Sequence, residues 1–134
     1  MADSGNLASF MFGGVTYDAD DCLQSWDFSH SVTDVVYSCN GYDRHGVGTE
    51  NAVLTVTLAL AATDTTRVTQ LDAGNSSTQF EAHPGGDAAP GGKIEIKAIR
   101  AQINRCDITA PMNGIIAMDV EIALDDVTIG ASTS

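Results

Sequence analysis

The hydrophobic positions of this chain repeat with a period of two over much of its length. In residues 115–124, Ile116, Met118, Val120, Ile122 and Leu124 fall on one face, and Ala117, Asp119, Glu121 and Ala123 on the other. That alternation predicts a strand with one buried face and one small or acidic face. The preceding Asn113 and Gly114 tolerate the positive φ of a type I′ turn, so a two-residue hairpin connection is expected there. A second strand is equally clear, with Leu54, Val56, Leu58 and Leu60 set against Val53, Thr55, Thr57 and Ala59. A third sets Trp26, Phe28, His30 and Val32 against Ser25, Asp27, Ser29 and Ser31, then continues over residues 35–39 after a bend at Thr33 and Asp34.

Between these lie weaker elements. Residues 15–17 predict a short strand closed by an acidic turn over 18–21. Residues 79–82 predict another, after a turn at 75–78. Residues 93–109 read as strand, but the apolar register slips from Ile94 and Ile96 to Ile99, Ala101 and Ile103. A bulge near Lys97 and Ala98 is therefore expected. Residues 61–73 change period: Asp64 can cap, Val68 and Leu71 stand at helical spacing, and Gly74 offers a stop. One helix of about two turns follows from this. Residues 1–14 are small and Gly-rich around Phe10-Met11-Phe12, an arm expected to order only on a partner surface. Residues 40–51, polar and with three glycines, read as a loop far longer than a hairpin needs, hence as an interaction element. Residues 84–92 read as a second loop and 130–134 as a short tail.

At 134 residues the chain fits one domain, a mostly β sandwich or partial barrel with one short flanking helix. Eighteen acidic against six basic residues give a net charge of −12, which disfavours gripping nucleic acid or an anionic membrane. No apolar run approaches the roughly 20 residues of a membrane span. The N-terminus lacks the basic start and apolar core of a signal peptide, so synthesis in a cytoplasm is expected. Cys22, Cys39 and Cys106 are odd in number and widely spaced, which predicts buried free thiols.

Candidate chemistry is thin. The run from Gly86 to Lys93 resembles a phosphate loop, but its spacing is one too long and Ile94 stands where Ser or Thr is required. His30, His45 and His83 have no second histidine or cysteine two to four residues onward, so no metal is expected; His30 reads as core-edge and the other two as solvated loop residues. Asp18, Asp20 and Asp21 lack the spacing of a calcium loop. No nucleophile elbow occurs, and Asp119 and Glu121 are flanked by alanines that would not raise a carboxyl pKa. Neither a catalytic site nor a cofactor is expected.

The layout resembles the tail-tube (major tail) proteins of long-tailed bacteriophages and related injection machines. The resemblance rests on the strand phrase Leu23-Gln-Ser-Trp-Asp-Phe-Ser-His-Ser-Val32, the glycine-containing segment after it and the return strand over 53–60. It rests also on the short helix after Thr63 and Asp64, and on the ending Ala101-Gln-Ile-Asn through Ala110-Pro-Met-Asn-Gly114 before an alternating strand. It covers nearly the whole chain in order and pattern, without a signature of fixed residues.

The resemblance implies a structural virion protein, made in a bacterial host cytoplasm. Subunits of that family close into rings, usually hexameric, whose inner sheets join in one continuous barrel. The rings stack into a tail tube, surround a tape-measure protein, meet tail-end proteins, and pass DNA without binding it specifically. Residues of this chain suit such a lumen: Asp27, Ser29, Thr55, Thr57, Asp119 and Glu121 are small, polar or acidic and would let a polyanion slide. Tyr42, Asp43, Arg44 and His45 are then candidates for contacts between rings, and Lys93, Lys97, Arg100 and Arg105 for a basic patch that meets an acidic neighbouring subunit. A capsid decoration protein or a tail-end protein is the alternative. A ligand-binding β-sandwich would need more exposed aromatics than a chain with one Trp offers.

Overall fold

The computed structural model describes residues 8–18, 23–85, 93–112 and 114–131. Among them, ten strands and one helix follow in the order β1 (Ser9–Phe12), β2 (Val15–Tyr17), β3 (Leu23–Cys39), β4 (Tyr42–Leu60), α1 (Thr65–Gln70), β5 (Ser76–Ser77), β6 (Phe80–His83), β7 (Ile94–Ala98), β8 (Arg100–Thr109), β9 (Ile116–Asp125) and β10 (Thr128–Ala131). They form two antiparallel five-stranded sheets. The short sheet runs β10-β7-β6-β1-β2 and the long sheet β3-β4-β9-β8-β5. This is the mostly β sandwich with one short helix that the alternation predicts; neither sheet closes on itself.

The alternation decides what is buried. Leu54, Val56, Leu58, Met118, Val120 and Ile122 of β4 and β9 are at most 1% exposed. They pack in one cluster with Phe10, Phe12, Phe80, Ala82 and Ile96 of the short sheet. Fully burying each large apolar side chain contributes about 1.5–3 kcal/mol. Trp26 and Phe28 close the edge of this cluster, and the Trp26 Nε1–H donates to the Ser9 carbonyl at 3.2 Å. Helix α1 sits beside it: Leu71, at its C-terminal cap, is fully buried. Asp64 does not cap the helix with its side chain; its Oδ2 accepts the Ala61 N–H at 2.8 Å instead.

Several expectations need correction. Residues 8–14 are no arm: β1 pairs with both β2 and β6, and Phe10 and Phe12 are core residues. Burial against Phe80, far away in sequence, is what orders them; residues 1–7 lie outside the described residues. Residues 40–51 are no loop either. β3 and β4 run on as one long hairpin joined by Asn40 and Gly41, at φ 53° and 81°. Both angles are left-handed, as a type I′ turn needs, so the two-residue Asn-Gly turn occurs here. It does not occur before β9. Thr109 pairs with Ala117, leaving a six-residue connection over 110–115 in which Gly114 has no positive φ; Asn113 lies outside the described residues.

The slip near Lys97 and Ala98 is a change of sheet. β7 belongs to the short sheet and β8 to the long one, with Ile99 at the corner. β9 and β10 make the opposite crossing through Asp126 and Val127, and the two corners are tied by the Ile99 N–H donating to the Asp125 carbonyl at 3.2 Å. Gly130 and Ala131 belong to β10 and not to a tail. A bulge does occur in β8, between Ile103 and Arg105. Cys39 is exposed at the hairpin end and Cys106 is half-buried, against the expectation of buried thiols; Cys22 lies outside the described residues. Burial pushes the Cys106 thiol up, and Asp72 and Asp107 push it further.

Candidate functional site

The face of the long sheet turned away from the core is built from the polar members of the alternating strands. Cross-strand pairing sets Asp27 beside Thr55, Thr55 beside Glu121 and Glu121 beside Arg105 in one row. The next row runs Ser25, Thr57, Asp119 and Asp107. Ser29 begins a third, continued by Val53, Ala123 and Gln102. All six residues expected on a lumen therefore share one face of three adjacent strands, β3, β4 and β9. Asp27, Ser29, Thr55 and Asp119 are exposed, and Thr57 and Glu121 half-buried.

The face is organised electrostatically. The Thr57 hydroxyl donates to Asp119 Oδ1 at 2.6 Å. Arg105 Nε donates to Asp107 Oδ2, and that carboxylate, with Glu121 and Asp119 behind it, raises the Arg105 guanidinium above its ordinary range. Arg100 faces Asp125 at the end of the same face. Five carboxylates thus stand against two guanidiniums, and Arg105 is engaged by Asp107 of its own subunit. The expected basic patch does not exist as one surface. Arg100 and Arg105 lie on this acidic face, whereas Lys97 lies on the short sheet, 3.4 Å from Glu95, and Lys93 precedes β7. The sheet change at Ile99 separates them.

The second feature is the arm. β9 pairs with β4 only from Ala52 to Leu60, so beyond Asn51 the β3–β4 hairpin is a two-stranded ribbon. Tyr42, Asp43, Arg44 and His45 begin β4 at its tip, on alternate faces: Tyr42 and Arg44 lie with Val35 and Tyr37, and Asp43 and His45 with Val36. Val35, Val36, Tyr37 and Tyr42 are 44%, 55%, 50% and 70% exposed. A bare ribbon is marginally stable, and apolar residues on both its faces suit a partner surface. His45 Nδ1 contacts Asp34 Oδ2 at 2.9 Å near the tip.

At the arm's base, Glu50 joins three segments. Its Oε2 meets His30 Nε2 at 3.0 Å, and its Oε1 accepts the Asp126 N–H at 3.0 Å from the β9–β10 corner. The His30 hydrogen bond, with backbone N–H groups at Val127 and Asp126, holds Glu50 below the usual carboxylate range. Glu50, Asp107 and Asp125 were not expected at these places, because only pairing reveals what stands opposite them.

A third cluster lies on the short sheet. His83 is no solvated loop residue: it ends β6, is 7% exposed, and faces Glu81 and Glu95. Glu95 is held below the usual carboxylate range by His83 first and Lys97 second. The signal was present as Glu81-Ala-His83, since residues two apart on a strand share a face.

No protein-family model and no curated protein matches the sequence. Solved structures do match its fold. A chain of the PVC extracellular contractile injection system, in the extended sheath–tube complex, aligns with a TM-score of 0.67 at 12% identity, over 97% of this chain and 92% of that one. A chain of the anti-feeding prophage tube-terminating cap aligns with a TM-score of 0.67 at 11% identity, over 97% and 91%. A chain of the tail of an empty gene transfer agent particle, of C6 symmetry, aligns with a TM-score of 0.59 at 15% identity, over 99% of both. The fold is thus shared with chains of contractile-injection and gene-transfer-agent tail assemblies, in line with the layout of the sequence.

Proposed function

We propose that this chain is a structural subunit of a tail or injection tube, with no catalytic role. Subunits close into stacked rings, six to a ring as in the C6 gene transfer agent tail, and the polar face of the long sheet lines the lumen. One observation carries the reading: the two-faced strands bury one face in the sandwich and gather Asp27, Ser29, Thr55, Thr57, Asp119 and Glu121 on the other. β3 and β5 are the edges of the long sheet, and edges that would be a liability in a monomer become the joints of a continuous barrel.

In this reading the arm reaches the next ring, and Tyr42, Asp43, Arg44 and His45 make that contact. Lys97 and Arg105 act within the subunit, on Glu95 and Asp107. The protein belongs to the tail of a virion assembled in a bacterial cytoplasm, encloses a tape-measure protein, meets tail-end proteins, and passes DNA without specific contacts. Acidic lining suits passage because phosphate is repelled and not held. Negative-stain microscopy of the purified protein over a rising concentration series tests this. Rings or tubes with a central channel are expected. A protein that stays monomeric throughout, or that binds capsids without self-association, overturns it.

A further inference from the structure

We propose that Glu81, His83 and Glu95 form a binding site for a divalent cation of the zinc type, on the face of the short sheet turned away from the core. Pairing of Glu81 with Lys97 and Ala82 with Ile96 sets His83 opposite Glu95, and Glu81 shares its face two residues earlier. His83 Nε2 lies 3.0 Å from Glu95 Oε2 and 3.7 Å from Glu81 Oε1. One ligand atom from each residue falls within 4.8 Å of the others. A cation held at about 2.0–2.2 Å by each needs donors roughly 3.3–3.6 Å apart in a tetrahedral arrangement, so modest side-chain adjustment closes the site.

Charge and burial point the same way. The His83 and Glu95 side chains are 9% and 10% exposed. Glu81, at 35% exposure, closes the outer side, and a carboxylate drawn as far out of water as Glu95 is costly unless a cation lies beside it. A neutral imidazole with two carboxylates carries the two negative charges that a divalent ion neutralises. Lys97 occupies the other oxygen of Glu95, Oε1, at 3.4 Å, which leaves Oε2 directed at His83 and fixes the carboxylate's orientation from outside the site. One nitrogen and two oxygens suit zinc better than magnesium or calcium, which prefer all-oxygen shells. The bound ion would tie β6 to β7. The other two histidines, His30 with Glu50 and His45 with Asp34, each face one carboxylate and offer two ligands only.

The test uses the 134-residue chain, stripped with a chelator and titrated with zinc sulfate by calorimetry, with thermal unfolding in parallel. One zinc ion per chain and a rise in the unfolding midpoint are expected, with magnesium inert. Glu81→Gln keeps the His83–Glu95 pair and so should fold, yet it should weaken zinc at least about tenfold, since loss of even an outer-shell partner commonly costs 10–100-fold. His83→Gln should abolish binding, and the double variant His30→Gln with His45→Gln should leave it unchanged. No saturable binding by the wild-type chain at micromolar zinc overturns the proposal. So does binding that survives Glu81→Gln undiminished, which decides the matter should His83→Gln fail to fold.

Discussion

Glu50 shows how much one side chain can organise at the end of a sheet. Its two oxygens join β4, His30 of β3 and the left-handed corner at Asp126, φ 53°, so it anchors the arm's base to the turn that carries the chain into β10. Its carboxyl titrates below the ordinary value because its partners favour the charged form. The sign follows. The contribution is complete above the ordinary glutamate range, near about pH 4.3, and is lost as pH falls through the lowered value. Glu95, lowered by His83 and Lys97, acts in the same direction. Glu50→Gln should therefore flatten, without abolishing, the acid limb of the stability curve, and should speed amide exchange at Asp126 while the core amides of Val56 and Val120 stay protected. An acid limb and exchange pattern identical to wild type would show that Glu50 anchors nothing.

At the scale of elements, the arm stands apart from the sandwich. It is shaped by a bulge at which Thr33 lies opposite Gly48 and Thr49. A Cβ at Gly48 would come within 2.7 Å of Val35 Cγ2 and 2.9 Å of the Thr33 carbonyl oxygen, so only glycine lets the ribbon close there. Among the described side chains, none from residue 33 to residue 48 belongs to or packs on the hydrophobic core, so the arm can be removed without opening a cavity. Deleting residues 33–48 and joining Val32 to Thr49 through Asn-Gly should leave a cooperatively unfolding subunit with a melting midpoint within a few degrees of wild type. It should also abolish long tubes in electron micrographs, on the proposal that the arm meets the next ring. Tubes of normal length from the shortened chain would assign the arm another role.

For the whole molecule, the relevant quantity is the field that the long sheet presents to its surroundings. Asp27, Asp119 and Glu121 make its outer face acidic, and the exposed positions among them should accept lysine with the fold retained; loss of the Thr57–Asp119 hydrogen bond costs only about 1 kcal/mol. The triple variant Asp27→Lys, Asp119→Lys, Glu121→Lys should assemble. It should also hold duplex DNA inside its tubes at low salt, where wild-type tubes hold none. Each lysine that reaches a phosphate adds about 0.9 to the slope of log affinity against log salt. Fluorescence anisotropy of labelled DNA with assembled tubes reads this directly. Equal, negligible binding by both tubes would place this face outside the channel.

What the sequence by itself determined is local. A period of two in β4 and β9 names the strands and also which side of each is buried, because successive side chains must point to opposite faces whatever the partner strand is. The polar face that carries the lumen candidates followed from that alternation, the lumen itself only from the family resemblance, and the helix from a change of period. The tertiary structure decided everything that depends on which strand lies beside which. Two Asn-Gly pairs carry the same turn signal, yet only Asn40 and Gly41 sit where the flanking register needs a two-residue connection. Phe10-Met11-Phe12 looks like a loose patch until β6 provides a ladder and Phe80 a contact. Ile99 reads as a slip along one strand because periodicity cannot distinguish a bulge from a passage between sheets. Glu81 and His83 are neighbours by spacing, but Glu95 joins them only through the pairing of β6 with β7. Side-chain alternation is a property of one extended backbone; pairing is a choice among many backbones, made by the core they can bury together.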